Sequence, residues 1–183
     1  MKELSLNVLD IAMNSVKAKA TLINIHITED DKLLTMEIVD NGCGMTAEVL
    51  QGVVNPFYTT RTTRKVGLGI PLLKLAAEQT GGEVKIFSRH ELEYPADHGT
   101  RVTATFYKQH IDFTPMGDII STMTTLIQGS PDIDFEFQHV SNTFFVSLDT
   151  REVREVLGPE IPLSEPEILS WIADNLSEQY KNI

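Results

Sequence analysis

The stretch TLINIHITEDDKLLTMEIVD, residues 21–40, restricts the fold more than any other part of this chain. Two β-rich runs, 21–29 and 33–40, flank the polar turn DDK, which predicts a β-hairpin. The second run continues into VDNGCGM, residues 39–45, so a strand ends in an aspartate and then carries two glycines around the chain's single cysteine. Taken alone, Asn41-Gly42 is a favourable turn dipeptide and Gly44 would relieve a second bend. Whether a ligand is involved depends on what surrounds the hairpin.

Ahead of it, residues 3–18 (ELSLNVLDIAMNSVKA) read as an amphipathic helix. Leu6, Leu9, Met13 and Val16 recur at spacings of three and four as an apolar stripe, and Asp10, Asn14 and Lys17 form a polar line at the same spacings. Behind the hairpin, Thr46 is a good N-cap for a short helix with Glu48 in its first turn. NPFYTTRTTRKV (55–66) has no helical or strand period and reads as a loop rich in threonine and cations. GLGIPLLKLAAEQTGG (67–82) reads as a helix, with Pro71 in its first turn and Gly81-Gly82 as its stop. Strands are predicted at 83–88 and 99–107. After FTPMG (113–117) the pattern changes to helix, strand, strand, helix. A boundary is therefore expected near 112, separating residues 1–112 from a small αββα extension, 113–183. That extension is either a docking module or extra layers on the core.

Composition narrows the function. A formal charge of −11 argues against wrapping nucleic acid or an anionic membrane, both of which need a basic field. One cysteine rules out an internal disulfide and a multi-cysteine metal cage, and fits a reducing compartment. No apolar run is long enough to span a membrane, and a cytoplasmic location is expected. His26, His98, His110 and His139 show no metal-ligand spacing.

Three features carry chemistry when read together. The line of Asp10, Asn14 and Lys17 offers a carboxylate to orient a water, an amide oxygen for a hard cation, and an ammonium for a phosphate. Arg61, Arg64 and Lys65 are the densest basic cluster in an acidic chain. Gly67-Leu68-Gly69 opens a helix, whose first amide N–H groups and dipole favour an anion. Each has a plainer explanation, as a solvated face, a surface loop and a helix boundary. No P-loop pattern is present.

The order of these features resembles the ATP-binding domain shared by gyrase, the Hsp90 chaperones, histidine kinases and MutL. LDIAMNSVKAKA is similar to the asparagine box, DNGCGM to the first glycine box, NPFYTTR to the start of the lid, GLGIPLLKLAAEQTGG to the second glycine box and GTRVTATFY to the closing strand. The resemblance covers residues 3 to about 107. It implies an α/β sandwich of the Bergerat type, with a mixed sheet and helices on one face. It also implies ATP and Mg²⁺ as ligands and a place in bacterial signalling. By resemblance, Asp40 would accept a hydrogen bond from the adenine amine, Gly42 and Gly44 would let the backbone pass the purine, and Thr100 would support the pocket. Asn14 would hold Mg²⁺, Lys17 would approach the phosphates, Gly67, Leu68 and Gly69 would line them, and Arg61 would be a lid cation. The sequence departs from the kinase pattern at Lys65, which stands where a glycine is usual, and at Pro71.

Relatives divide by their use of ATP. Asp10 stands four residues before the box asparagine, where some carry a general base, but it is one carbon shorter than the usual glutamate. The lid wording is closer to histidine kinases. HELEYP (90–95) resembles a phosphoacceptor motif but falls between two predicted strands, so it is read as coincidence. The box helix begins near the first residue, so a phosphoacceptor is expected on a separate protein partner, with a homodimer left open. The expected function is a Mg·ATP-dependent protein kinase or regulatory ATPase. The alternatives are a non-catalytic ATP/ADP switch resembling anti-sigma regulators and a degenerate fold without nucleotide.

Overall fold

The computed structural model describes residues 3–54 and 68–181. The expected hairpin is there: β1 (Leu22–Glu29) pairs antiparallel with β2 (Leu33–Asp40), setting Ile25 opposite Ile38. Asp30 closes the turn by accepting the amides of Lys32 and Leu33 at 2.7 and 2.8 Å. Alternation then decides which face is buried. Ile23, Ile25 and Ile27 of β1 and Leu34, Met36 and Ile38 of β2 point to one side and are almost wholly inaccessible. On the other side Asn24, His26, Thr35 and Glu37 are half-buried.

Beyond the hairpin, β4 (Gly99–Tyr107) pairs antiparallel with β2, and β3 (Val84–Arg89) with β4. On the far side, β5 (Asp134–Ser141) joins β1 in parallel and β6 (Phe145–Asp149) pairs antiparallel with β5. The result is one mixed six-stranded sheet in the order β3-β4-β2-β1-β5-β6. The remaining helices are α1 (Leu4–Lys17), α2 (Ala47–Val54), α3 (Gly69–Gln79), α4 (Ile119–Gly129), α5 (Thr150–Leu157) and α6 (Pro166–Lys181). α1 packs against both α3 and α4, and α4 against α6, so the helical layer runs α3-α1-α4-α6 over the buried face. No described helix is long and apolar enough to cross a membrane.

The chain on both sides of residue 112 therefore builds one sheet and one buried cluster, to which Phe135, Phe137, Met123 and Leu176 belong together with Ile25 and Leu73. Each such side chain contributes about 1.5–3 kcal/mol by leaving water. The connector FTPMG has a structural task. α1 lacks a side-chain cap, and its first amides, Leu4 and Ser5, instead donate to the carbonyls of Pro115 and Met116 at 2.9 and 2.8 Å. After β6 the chain forms α5, a helix absent from the αββα expectation. Asp149 caps it, accepting the Arg151 amide at 2.9 Å.

The apolar stripe of α1 differs from the predicted one. Leu4, Val8, Ile11 and Ala12 face the core, whereas Leu6 is exposed and Leu9, Met13 and Val16 pack at its margin. The two stripes lie one residue, about 100°, apart on the helix. Neighbours on several sides make most of α1 apolar, so spacing alone cannot tell which stripe meets the sheet.

Candidate functional site

The predicted site residues that the structure describes gather where the ends of β2 and β4 meet α1 and the start of α3. Asp40 is the last residue of β2 and falls on its buried parity, so its carboxylate turns towards α1; it is 8% exposed. One oxygen accepts the Ser15 hydroxyl at 2.6 Å and the other the Gly42 amide at 2.9 Å. A carboxylate oxygen has two acceptor positions, so each keeps capacity for one more donor.

The segment after Asp40 is pinned on three sides. Cys43 donates its amide to the Ala18 carbonyl at 2.8 Å and accepts from the Glu91 amide at 2.9 Å. Met45 donates to the Ser88 hydroxyl at 2.8 Å, and His98 Nδ1 lies 2.6 Å from the Gly42 carbonyl. These latches explain the two glycines. A Cβ at Gly42 would lie 2.7 Å from the Ala18 carbonyl, and one at Gly44, which has φ +69°, would lie 1.9 Å from the Arg89 carbonyl. Thr100 sits opposite Asp40 in the β2–β4 register, its hydroxyl 2.9 Å from that of Ser88.

The second half of the site is the crossing of α1 with α3. Gly69 is the first residue of α3; a Cβ there would meet the Asp10 Cβ at 3.1 Å and the Asn14 amide nitrogen at 3.8 Å. The helix start thus abuts the polar line of α1, with Asp10 exposed and Asn14 half-buried. Leu68, the N-cap, is 72% exposed and offers no side-chain cap, and among the described residues the first amides of α3 have no partner at this junction. Pro71 lies in that first turn, where a missing N–H breaks no intrahelical bond.

Asp10, Asn14 and Gly69 therefore come together, as do Asp40, Gly42 and Thr100; Ser15, next to Asn14, links the two groups. Lys17 is exposed on the last turn of α1 and has no ion-pair partner among the described residues. Arg61 and Gly67, with Lys65 and the rest of the predicted loop, lie outside the described residues. Sequence reasoning missed Ser15, Ser88 and His98. Ser15 continues the Leu4, Val8, Ile11, Ala12 stripe as a hydroxyl, a signal that becomes readable only once that stripe is known to face the core. Ser88 and His98 had none, because their contacts depend on how the 90–98 loop returns. His90 belongs to that loop, its carbonyl accepting the Glu93 and Tyr94 amides.

As to cofactors, no group of three or more His, Cys, Asp or Glu among the described residues could hold a metal. Asn14 alone offers one oxygen, so a magnesium ion there fits only if phosphate and water complete its octahedron. A buried carboxylate with spare acceptor capacity, beside the start of a helix, suits a ligand with a donor at one end and an anion at the other.

Comparison with known proteins places the family and the fold. Residues 1–110 match the family model described as "Histidine kinase-, DNA gyrase B-, and HSP90-like ATPase". The sensor protein KdpD of Clostridium acetobutylicum is 28% identical over 94 residues, 49% of this chain and 10% of that protein. The sensor histidine kinase ZraS of Klebsiella oxytoca is 32% identical over 79 residues, 42% of this chain and 17% of that one. The chain thus spans a small part of these relatives' lengths. Among solved structures, the Aquifex aeolicus MutL ATPase domain complexed with ADP superposes with a TM-score of 0.56 at 17% identity, covering 86% of this chain and 69% of that one. The N-terminal domain of a DNA repair protein gives 0.54 at 15% identity, covering 87% and 58%. These two likenesses speak to fold, and they reach past the 110 residues that the family model matches. The chain belongs to the histidine kinase-, DNA gyrase B- and HSP90-like ATPase family.

Proposed function

We propose that this chain binds Mg·ATP where α1, α3 and the end of β2 meet, and acts as a protein kinase or regulatory ATPase on a separate protein. The observation that carries the reading is the Asp40 carboxylate, buried at a strand end and fixed by Ser15 and the Gly42 amide. A fixed acceptor of this kind selects a purine bearing an amine over one bearing a carbonyl at the same position. Thr100 supports that pocket, and Gly42 and Gly44 hold the backbone that forms its wall.

At the other end, the amides of Leu68 and Gly69 at the start of α3 would meet the phosphates, joined by Lys17 and by Gly67 and Arg61 of the preceding segment. Asn14 would give its oxygen to Mg²⁺, whose chemistry is to neutralise and orient the polyphosphate. Asp10 beside Gly69 is the candidate general base. Saturation with ATP at about 100 times its dissociation constant should stabilise the chain by about 2.7 kcal/mol. Asp40→Asn should abolish that gain. A wild-type chain whose melting ignores Mg·ATP would end the proposal.

A second reading, a non-catalytic ATP/ADP switch, draws support from Asp10, whose side chain is one carbon shorter than the glutamate usual in hydrolytic relatives. Turnover separates the two. Loss of hydrolysis or phosphotransfer in Asp10→Asn, with binding intact, supports the enzyme; a wild-type chain that binds without turning over supports the switch.

A further inference from the structure

The outer edge of the sheet carries a groove that the nucleotide reading does not use. It has a volume of about 990 Å³ and runs between α5 and α6 along β6, three strand positions from β2. Its apolar surface comes from Phe145, Val156, Leu157, Ile168 and Trp171, of which Val156 is 87%, Phe145 59% and Trp171 53% exposed. Large aromatic side chains left half in water on a concave face mark surfaces that bind other chains.

Two details say what fits there. First, β6 is an open edge among the described residues, but its centre is closed to another strand. The Gln179 side chain of α6 accepts the Ser147 amide at 2.8 Å and donates to the Ser147 carbonyl at 3.0 Å, with Asn175 accepting its second N–H at 2.8 Å. An incoming strand would find its central hydrogen-bonding pair taken. Second, the rim is acidic. Among the described residues Arg151 is the one cation lining the groove, and it is held by Asp149 and Glu136 at 2.6 and 2.8 Å. Glu152 on α5 and Glu167 on α6 also line the groove, and neither has an ion-pair partner among the described residues. A second copy of this chain, with net charge −11, is a poor match for that rim.

We propose that this groove receives an amphipathic helix of a partner protein, with apolar anchors on one face and lysine or arginine along its flanks. The anchors would seat against Trp171, Val156 and Phe145, and the flanking cations would pair with Glu152 and Glu167. Nucleotide binding and this contact are separable, since they use different ends of the sheet order.

The test uses the full chain and its single tryptophan, Trp171, as the fluorescent reporter. The probes are synthetic peptides of roughly 18 residues, long enough to hold a helix. One has leucines at i, i+3, i+4 and i+7 with lysine flanks, one has glutamate flanks, and one is a scramble of the lysine peptide. The lysine peptide should bind about tenfold tighter than either control, the difference one buried or charge-paired contact makes. Any cationic peptide is drawn to an acidic chain, so two variants decide. Glu152→Lys/Glu167→Lys should reverse the flank preference, and Val156→Glu should weaken the lysine peptide about tenfold while leaving melting unchanged. Equal binding of the scramble, an unreversed preference, or binding indifferent to Val156→Glu would overturn the proposal. So would sedimentation showing a wild-type dimer that Val156→Glu dissolves, or tighter binding of a strand-forming peptide.

Discussion

Residues 3–107 and 113–181 share a sheet, yet they are written differently. The first part is spelled in short boxes whose residues are fixed by chemistry and close backbone contact, such as Asp40, Gly42 and Gly44. The second carries no box at all. It is held by a parallel pairing of β1 with β5, a seam joining residues more than a hundred positions apart. A family model matches residues 1–110, while the fold likeness to the MutL ATPase domain takes in 86% of the chain. Backbone shape therefore persists where sequence signals fade, because a sheet edge needs only an alternating strand to cover it.

The strongest way to break this comparison is to open the shared core from the side without boxes. Phe137 of β5 is fully buried among residues of both parts. Phe137→Ala should cost about 3–5 kcal/mol and lower the stability of the whole chain. Urea unfolding followed by far-UV circular dichroism and by Trp171 fluorescence should give one transition with coincident midpoints. Two separated transitions, with the first 110 residues unaffected, would mean that the parts are independent units.

That outcome bears on what the sequence could show. The hairpin, the two glycine boxes and the later strands were legible because alternation and turn residues are local. The attachment of β5 to β1 was not. Nothing in IHI or FEF says which neighbour a strand takes, and the FTPMG connector reads as a boundary although its carbonyls cap α1. In the site, Asp40, Asn14 and Gly69 were legible as members of boxes. Ser15 was passed over, since its role appears only when the helix face is known.

Ser15 therefore sharpens the comparison on the other side. It is 3% exposed, and its hydroxyl is one of two donors to the Asp40 carboxylate among the described residues. Ser15→Ala should cost about 1.5–3 kcal/mol, the range for a hydrogen bond to a charged group. It should also weaken nucleotide binding about tenfold, since one such unit of orientation is worth about 1.4 kcal/mol. Calorimetric titration with ATP and urea unfolding of the same variant check both. Unchanged affinity would show that the Gly42 amide alone fixes Asp40.

A smaller effect is expected at Asp118, which opens α4, the helix between α1 and α6. Its carboxylate accepts the Ser121 amide at 2.8 Å and the Ser121 hydroxyl at 2.7 Å, and these bonds hold its pKa below the ordinary value. Asp118→Ala should cost about 1 kcal/mol. If the helical layer is continuous, chemical denaturation will register that loss in the single global transition; a loss confined to local amide exchange in α4 would mean that the helix frays alone.

The last and smallest effect joins the two parts through a buried imidazole. His139 on β5 lies 3.0 Å from Glu29 of β1 by its Nε2 and 2.7 Å from the Tyr180 hydroxyl of α6 by its Nδ1, and Lys108 beyond β4 pairs with the same Glu29. A neutral ring fits both bonds, donating to Glu29 and accepting from Tyr180. Burial lowers the His139 pKa, with Glu29 opposing it and Lys108 adding to it; burial also raises that of Tyr180, so its hydroxyl stays a donor. Above the ordinary histidine pKa of 6.5, both folded and unfolded chains carry a neutral ring and stability is independent of it. As pH falls below that value the unfolded chain takes up a proton that the folded chain resists, so stability declines until the folded pKa is passed. His139→Gln should flatten the unfolding free energy between pH 6.5 and the lower value, where the wild-type slope approaches one proton at most. A variant that keeps the full wild-type slope would place the titrating group elsewhere and remove His139 from the seam's pH response.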